Sequence, residues 1–132
     1  MNYKGEWIME IKDLIGFQLI EINDSKIKLK KDDKTFTLSI ITDKGGCCGY
    51  NFVGTNLFIS KRELNRNPII TDITIDRNEG EGEQTCKVVL FGEEKNIAEL
   101  ETNSGSGSGW CYGACAWVKC KELDLDEVLS QW

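Results

Sequence analysis

Histidine is absent from the chain, proline occurs once, at Pro68, and arginine only three times, at Arg62, Arg66 and Arg77. Without imidazole there is no side chain whose unperturbed pKa falls near neutrality, and the usual proton carrier of an active site is missing. A nucleophilic cysteine would have to draw its low pKa from a cation instead, and Lys44, close to Cys47, is the only adjacent candidate. No enzymatic activity is expected. The scarcity of arginine accompanies a net charge of −6, which opposes broad contact with a phosphate backbone, so long nucleic acid is not the expected partner. No stretch approaches the roughly 20 apolar residues of a membrane span. Met1 to Glu6 lacks the basic start and apolar run of a secretory signal. A cytoplasmic protein with no membrane partner is expected.

What is present suits one globular domain spanning 1–132, since a chain of this size buries roughly two-thirds of its unfolded surface on folding. With 40% hydrophobic and 29% charged residues, it needs no staple to form a core. In the cytoplasm its six cysteines are expected to be thiols. A structural zinc site would normally pair two short knuckles, each with two to four residues between its cysteines. Here Cys47 and Cys48 have no spacer, and Cys111, Cys115 and Cys120 supply one conforming pair. No metal and no cofactor are expected.

Alternating or β-branched runs recur at Phe17 to Asn23, Lys26 to Lys31, Thr35 to Thr42, Asn51 to Ile59, Ile69 to Asp76, Thr85 to Phe91, Asn96 to Thr102 and Trp110 to Cys120. Gly, Asn or Asp bounds each run, and Asp32-Asp33-Lys34 reads as a hairpin turn. The expected fold is mainly β, an antiparallel sandwich or barrel with one or two short helices. One helix is expected from Asp124 to Trp132, where Asp124 and Glu127 form a capping box and Leu125, Val128, Leu129 and Trp132 share a stripe. A shorter one is expected to begin at Ser60 and to stop before Pro68. Arg62 and Arg66, four apart, would then share a helix face and could reach an anion.

Two glycine-rich segments carry the candidate site. One contains Cys48, Gly49, Tyr50 and Asn51; the other contains Asn103, Ser104, Gly105, Ser106, Gly107, Trp110 and Tyr112. Glycines expose backbone amides to an anion, and the aromatic rings offer faces on which a base can stack. Each segment also reads as an ordinary turn, the first placing a cysteine in the core and the second joining two strands. The acidic stretch from Asp76 to Glu83 does not fit a calcium loop and reads as solvated.

The order of these motifs resembles a small uncharacterised family found in phages and prophages. The likeness runs from Leu14-Ile15-Gly16 through Cys47-Cys48-Gly49-Tyr50 and Pro68 to Ile73, and on to Asn103-Ser104-Gly105 and Trp110-Cys111-Tyr112-Gly113. Gly49 stands where that family often has serine, and the late segment carries an extra Gly-Ser repeat. The resemblance implies a viral setting, with the host cytoplasm as the place of action. Together with the two segments it gives the expected function: a non-enzymatic anti-defence protein, expected to be a homo-oligomer, that sequesters a small nucleotide-derived signal. Cys48 to Asn51, Arg62, Asn103 to Gly107, Trp110 and Tyr112 would hold that ligand. The alternatives are a protein-interaction module that docks on a host protein and a cysteine-zinc structural protein.

Overall fold

The computed structural model describes residues 9–45, 48–106 and 113–132. These residues form nine strands: β1 (Gln18–Ile22), β2 (Lys26–Lys31), β3 (Lys34–Asp43), β4 (Tyr50–Leu57), β5 (Asp72–Gly80), β6 (Glu83–Gly92), β7 (Lys95–Gly105), β8 (Cys115–Cys120) and β9 (Leu125–Gln131). A one-turn helix α1 (Lys61–Leu64) and two 3-10 turns, Ile11–Leu14 and Lys121–Leu123, complete the described elements. One antiparallel sheet has the order β1-β2-β3-β8-β9, and the second has β4-β7-β6-β5. Their apolar faces meet in one cluster that includes Leu19, Leu29, Leu38, Val118 and Leu129 from the first sheet and Ile73, Val88, Leu90, Ile97 and Leu100 from the second. The chain is therefore a mainly β, two-layer antiparallel fold, as the alternation of its sequence predicts.

Turn chemistry sets the hairpins. Asp32 and Asp33 at the β2–β3 junction, and Glu93 and Glu94 at the β6–β7 junction, are consecutive left-handed residues, with φ of 50° and 64° in the first pair and 51° and 66° in the second. Such a pair gives a two-residue loop whose twist matches that of the flanking strands. At Ser60 the hydroxyl accepts from the Glu63 amide at 3.1 Å and caps α1.

The expected C-terminal helix is instead β9, paired with β8 from Cys115↔Gln131 to Cys120↔Leu125. Asp124 does not cap a helix; it takes a left-handed conformation, φ 52°, at the end of the preceding 3-10 turn. The strand period turns Glu127 toward the second sheet, an arrangement that polarity patterning disfavours. Arg77 of β5 compensates: its guanidinium meets the Glu127 carboxylate at 3.1 Å and donates to the carbonyls of Val128 at 2.7 Å and Leu129 at 2.9 Å. A bulge at Leu129 then places both Leu129 and Ser130 inside, which is why the apolar spacing imitates a helical stripe.

The two outer strands of the first sheet are both covered. Along β1, Leu19 donates to the Pro68 carbonyl and Ile70 to the Phe17 carbonyl. Along β9, Arg77 is joined by the amide of Ile11, which donates to Glu127 at 2.9 Å. Covered edges cannot recruit a foreign strand. None of the helices among the described residues is long and apolar enough to cross a membrane.

Candidate functional site

The two glycine-rich segments, far apart in sequence, meet as neighbouring strands. β4 pairs with β7 through Tyr50↔Gly105, Asn51↔Ser104 and Phe52↔Asn103. Asn103, Ser104 and Gly105 therefore belong to a strand, not to the loop that their composition predicts. Gly107, Trp110 and Tyr112 lie outside the described residues.

Pairing and packing commit Asn51, Ser104 and Ser106 to the fold. Ser104 is fully buried; its hydroxyl donates to Asn51 Oδ1 at 2.6 Å and lies 2.8 Å from the Ser130 hydroxyl, which lies 2.8 Å from that of Thr102. Asn51 Nδ2 donates in turn to the Asp43 carbonyl at 2.9 Å. Each hydroxyl has one proton, so the directed chain Thr102 to Ser130 to Ser104 to Asn51 to Asp43 satisfies every member and stitches the two sheets together. Ser106 is buried as well, and its amide donates to the Gly82 carbonyl. Cys48 is half-buried. A side chain at Gly49 would run into the Lys44 carbonyl, so glycine at this position answers a steric demand of the backbone.

Tyr50 remains partly exposed, at 39%, and its hydroxyl donates to Glu83 at 2.6 Å across Gly105. That hydrogen bond is the main cause of a phenol pKa above the ordinary range. Arg62 stands on α1, beyond the C-terminal end of β4, while Tyr50 and Asn51 are at its N-terminal end, roughly 23 Å away for a strand of this length. Arg62 and Arg66 do not share a helix face, because α1 ends at Leu64.

A different place is concave. An open cleft of about 400 Å³ lies between α1, the Asn65–Thr71 segment and the β6–β7 turn. Ile59 and Ile97 form its apolar floor, Ile69 and Pro68 one wall, and Gln18, Asn67 and Thr71 its polar margin. Gly92 allows the wall to close in, since a Cβ there would stand only 3.0 Å from the Ile69 carbonyl. Across the mouth, Lys95 Nζ and Glu63 Oε2 pair at 2.7 Å. This contact holds the Glu63 carboxyl below, and the Lys95 ammonium above, their ordinary pKa ranges. Arg66 lines the same cleft, is exposed, and forms no ion pair or hydrogen bond through its guanidinium among the described residues.

No protein-family model, curated protein or solved structure matches the chain. The chemistry of the cleft therefore stands on its own residues.

Sequence reasoning noted Arg66 only as a partner of Arg62 and missed Gln18, Asn67, Ile69 and Lys95. The turn residues Glu93 and Glu94 carried a signal, because two polar residues between alternating runs fix a tight hairpin that brings Lys95 opposite Glu63. Nothing in the sequence placed Gln18 there; it arrives because the Pro68 segment runs along β1, where Gln18 Nε2 donates to the Asn67 carbonyl at 3.1 Å. Cys86 and Cys115 offer no competing reaction centre. Burial pushes Cys86 up to about 11 and also raises Cys115. Both therefore stay protonated at neutral pH, and a protonated thiol is not a nucleophile. Cys47 and Cys111 lie outside the described residues.

Proposed function

We propose that the protein is a non-enzymatic binder that sequesters a small, singly anionic and partly apolar molecule in the Arg66 cleft. The observation that carries this reading is an uncommitted guanidinium on the margin of a cavity whose floor is isoleucine. Small-molecule sites are concave, run to roughly 300–1,000 Å³ and combine apolar walls with a few placed polar groups, and this cleft fits that description. Guanidinium matches the fork geometry of carboxylate or phosphate, while Ile59, Ile69 and Ile97 cover an apolar or planar portion. The Glu63–Lys95 pair adds selectivity, since a ligand with a second negative charge must compete with Glu63 for Lys95. A nucleotide-derived signal, the ligand class that the phage resemblance implies, falls within this chemistry. Sequestration then follows from mass action, with no bond broken.

A thermal-shift panel of mononucleotides and cyclic nucleotides tests the reading. At a hundredfold excess over Kd a true ligand stabilises the fold by about 2.7 kcal/mol, enough to raise Tm by several degrees. Arg66→Ala should abolish that rise while leaving the Tm of the free protein unchanged. If every anion leaves Tm where it was, or Arg66→Ala retains the response, the cleft is not the site. Recovery of intact ligand after the complex is denatured separates binding from turnover.

A further inference from the structure

The outward face of the second sheet lies remote from the cleft. Strand pairing lines up three successive rows across β4, β7, β6 and β5: Tyr50, Gly105, Glu83 and Gly80; Phe52, Asn103, Thr85 and Asn78; Gly54, Glu101, Lys87 and Asp76. Among the described residues no layer covers these rows, and Phe52 is 53% exposed. Glycine sets how the aromatics lie. A Cβ at Gly105 would stand 2.5 Å from the Tyr50 ring, and one at Gly54 would stand 3.1 Å from the Phe52 ring. The Tyr50 ring therefore lies against the backbone at Gly105 and the outer edge of the Phe52 ring against that at Gly54, while both side chains stay partly exposed.

Beside the rings stand the carboxylates of Glu83, Glu101 and Asp76, with the amides of Asn103 and Asn78, the Thr85 hydroxyl and the Lys87 ammonium between them. Asn103 Oδ1 is buried on this face and has no hydrogen-bond partner. Lys87 pairs with Glu99 at 3.2 Å, leaving Glu101 and Asp76, on either side of it, in no ion pair among the described residues. The Phe52 ring leans over Gly54, the register partner of Glu101. An exposed aromatic side chain, a carbonyl oxygen without a hydrogen-bond partner and a carboxylate outside any close ion pair among the described residues thus lie together.

The geometry points to this face as a docking surface for an arginine-bearing segment of another protein. A planar guanidinium can stack on the exposed Phe52 side chain while its edge donates to the Glu101 carboxylate, a combination that a lysine ammonium cannot reproduce. Charge complementarity selects the occupant. Glu83, Glu99, Glu101 and Asp76 outnumber Lys87, and the whole chain carries −6. A second copy would bring like charge onto like charge, and a nucleic-acid backbone would be repelled. Asn103 and Lys95 are eight residues apart on β7, roughly 26 Å, so occupancy of this face leaves the cleft free.

The test is fluorescence anisotropy of the intact protein with labelled arginine–glycine, lysine–glycine and glutamate–glycine peptides of equal length. The arginine peptide should bind most tightly, the lysine peptide several-fold more weakly and the glutamate peptide not at all, with affinity falling as salt is added. Phe52→Ala should weaken the arginine peptide by roughly tenfold, the equilibrium equivalent of a partly desolvated cation–π contact. Glu101→Gln, which leaves the apolar surface intact, should weaken it by about threefold, as for a partly exposed ion pair. Arg66→Ala should leave it unchanged, so that failure of the cleft and failure of this face are told apart. Equal affinity for the arginine and lysine peptides, indifference to both Phe52→Ala and Glu101→Gln, or absence of binding would each overturn the proposal. So would a dimer that Phe52→Ala dissolves, which would show the face to be a self-interface.

Discussion

Ser104 Oγ donates a hydrogen bond of 2.6 Å to Asn51 Oδ1 and thereby joins the two segments that the sequence marks as ligand loops. Both side chains are consumed in binding the sheets to each other. Composition that reads as a receptive surface is, at these two positions, an internal clasp.

Ser104→Ala should destabilise the protein by about 1–3 kcal/mol, the cost of leaving buried polar partners unsatisfied. The loss falls on Asn51 and on Ser130, both of which keep their own polar atoms. Chemical denaturation measures it as a lower midpoint at constant slope. A variant as stable as the parent would show that the buried chain of hydroxyls contributes nothing.

Arg77 should be among the most sensitive charged positions. Its guanidinium spans the Glu127 carboxylate and two carbonyls of β9, so Arg77→Leu strands all three acceptors at once. A loss of about 2–3 kcal/mol is expected, in line with hydrogen bonds to a charged group, together with faster aggregation from an uncovered edge. Arg77→Lys should recover only a minor part, because one ammonium cannot reproduce the fork. Thermal unfolding and light scattering on the same samples read both effects.

Tyr50 gives a titration that reports the face directly. Its hydrogen bond to Glu83 favours the neutral phenol, so the folded pKa lies above the unfolded one. The associated stabilisation is fully present below the ordinary phenol range and is lost as pH rises through the folded value. In an alkaline absorbance titration of the native protein the Tyr50 phenol should ionise above the ordinary phenol range. Glu83→Gln should bring it back toward the ordinary range. If the titration is the same in both proteins, the contact is not formed in solution.

Much of the fold was legible in the chain. The alternation in Lys26-Ile27-Lys28-Leu29-Lys30 fixes which face of β2 is wet, and Asp32-Asp33 fixes its turn, because both rest on neighbours a few residues away. Ser60 and Glu63 likewise declare the start of α1. The Asp124 to Trp132 segment was misread because its local signals favour a helix, whereas pairing with β8 and the distant Arg77 favour a strand.

The sequence by itself determined which strand faces are buried, since the period of burial is written in adjacent side chains, and it determined the net charge of −6. Only tertiary structure decided which polar residues remain available. Asn51 and Ser104, 53 residues apart, satisfy each other, while Arg66 is left in no ion pair among the described residues beside a cavity assembled from β1, α1, the Asn65–Thr71 segment and the β6–β7 turn. Availability depends on three-dimensional neighbours, and hydrogen-bond saturation is a property of the packed chain, not of any segment in it.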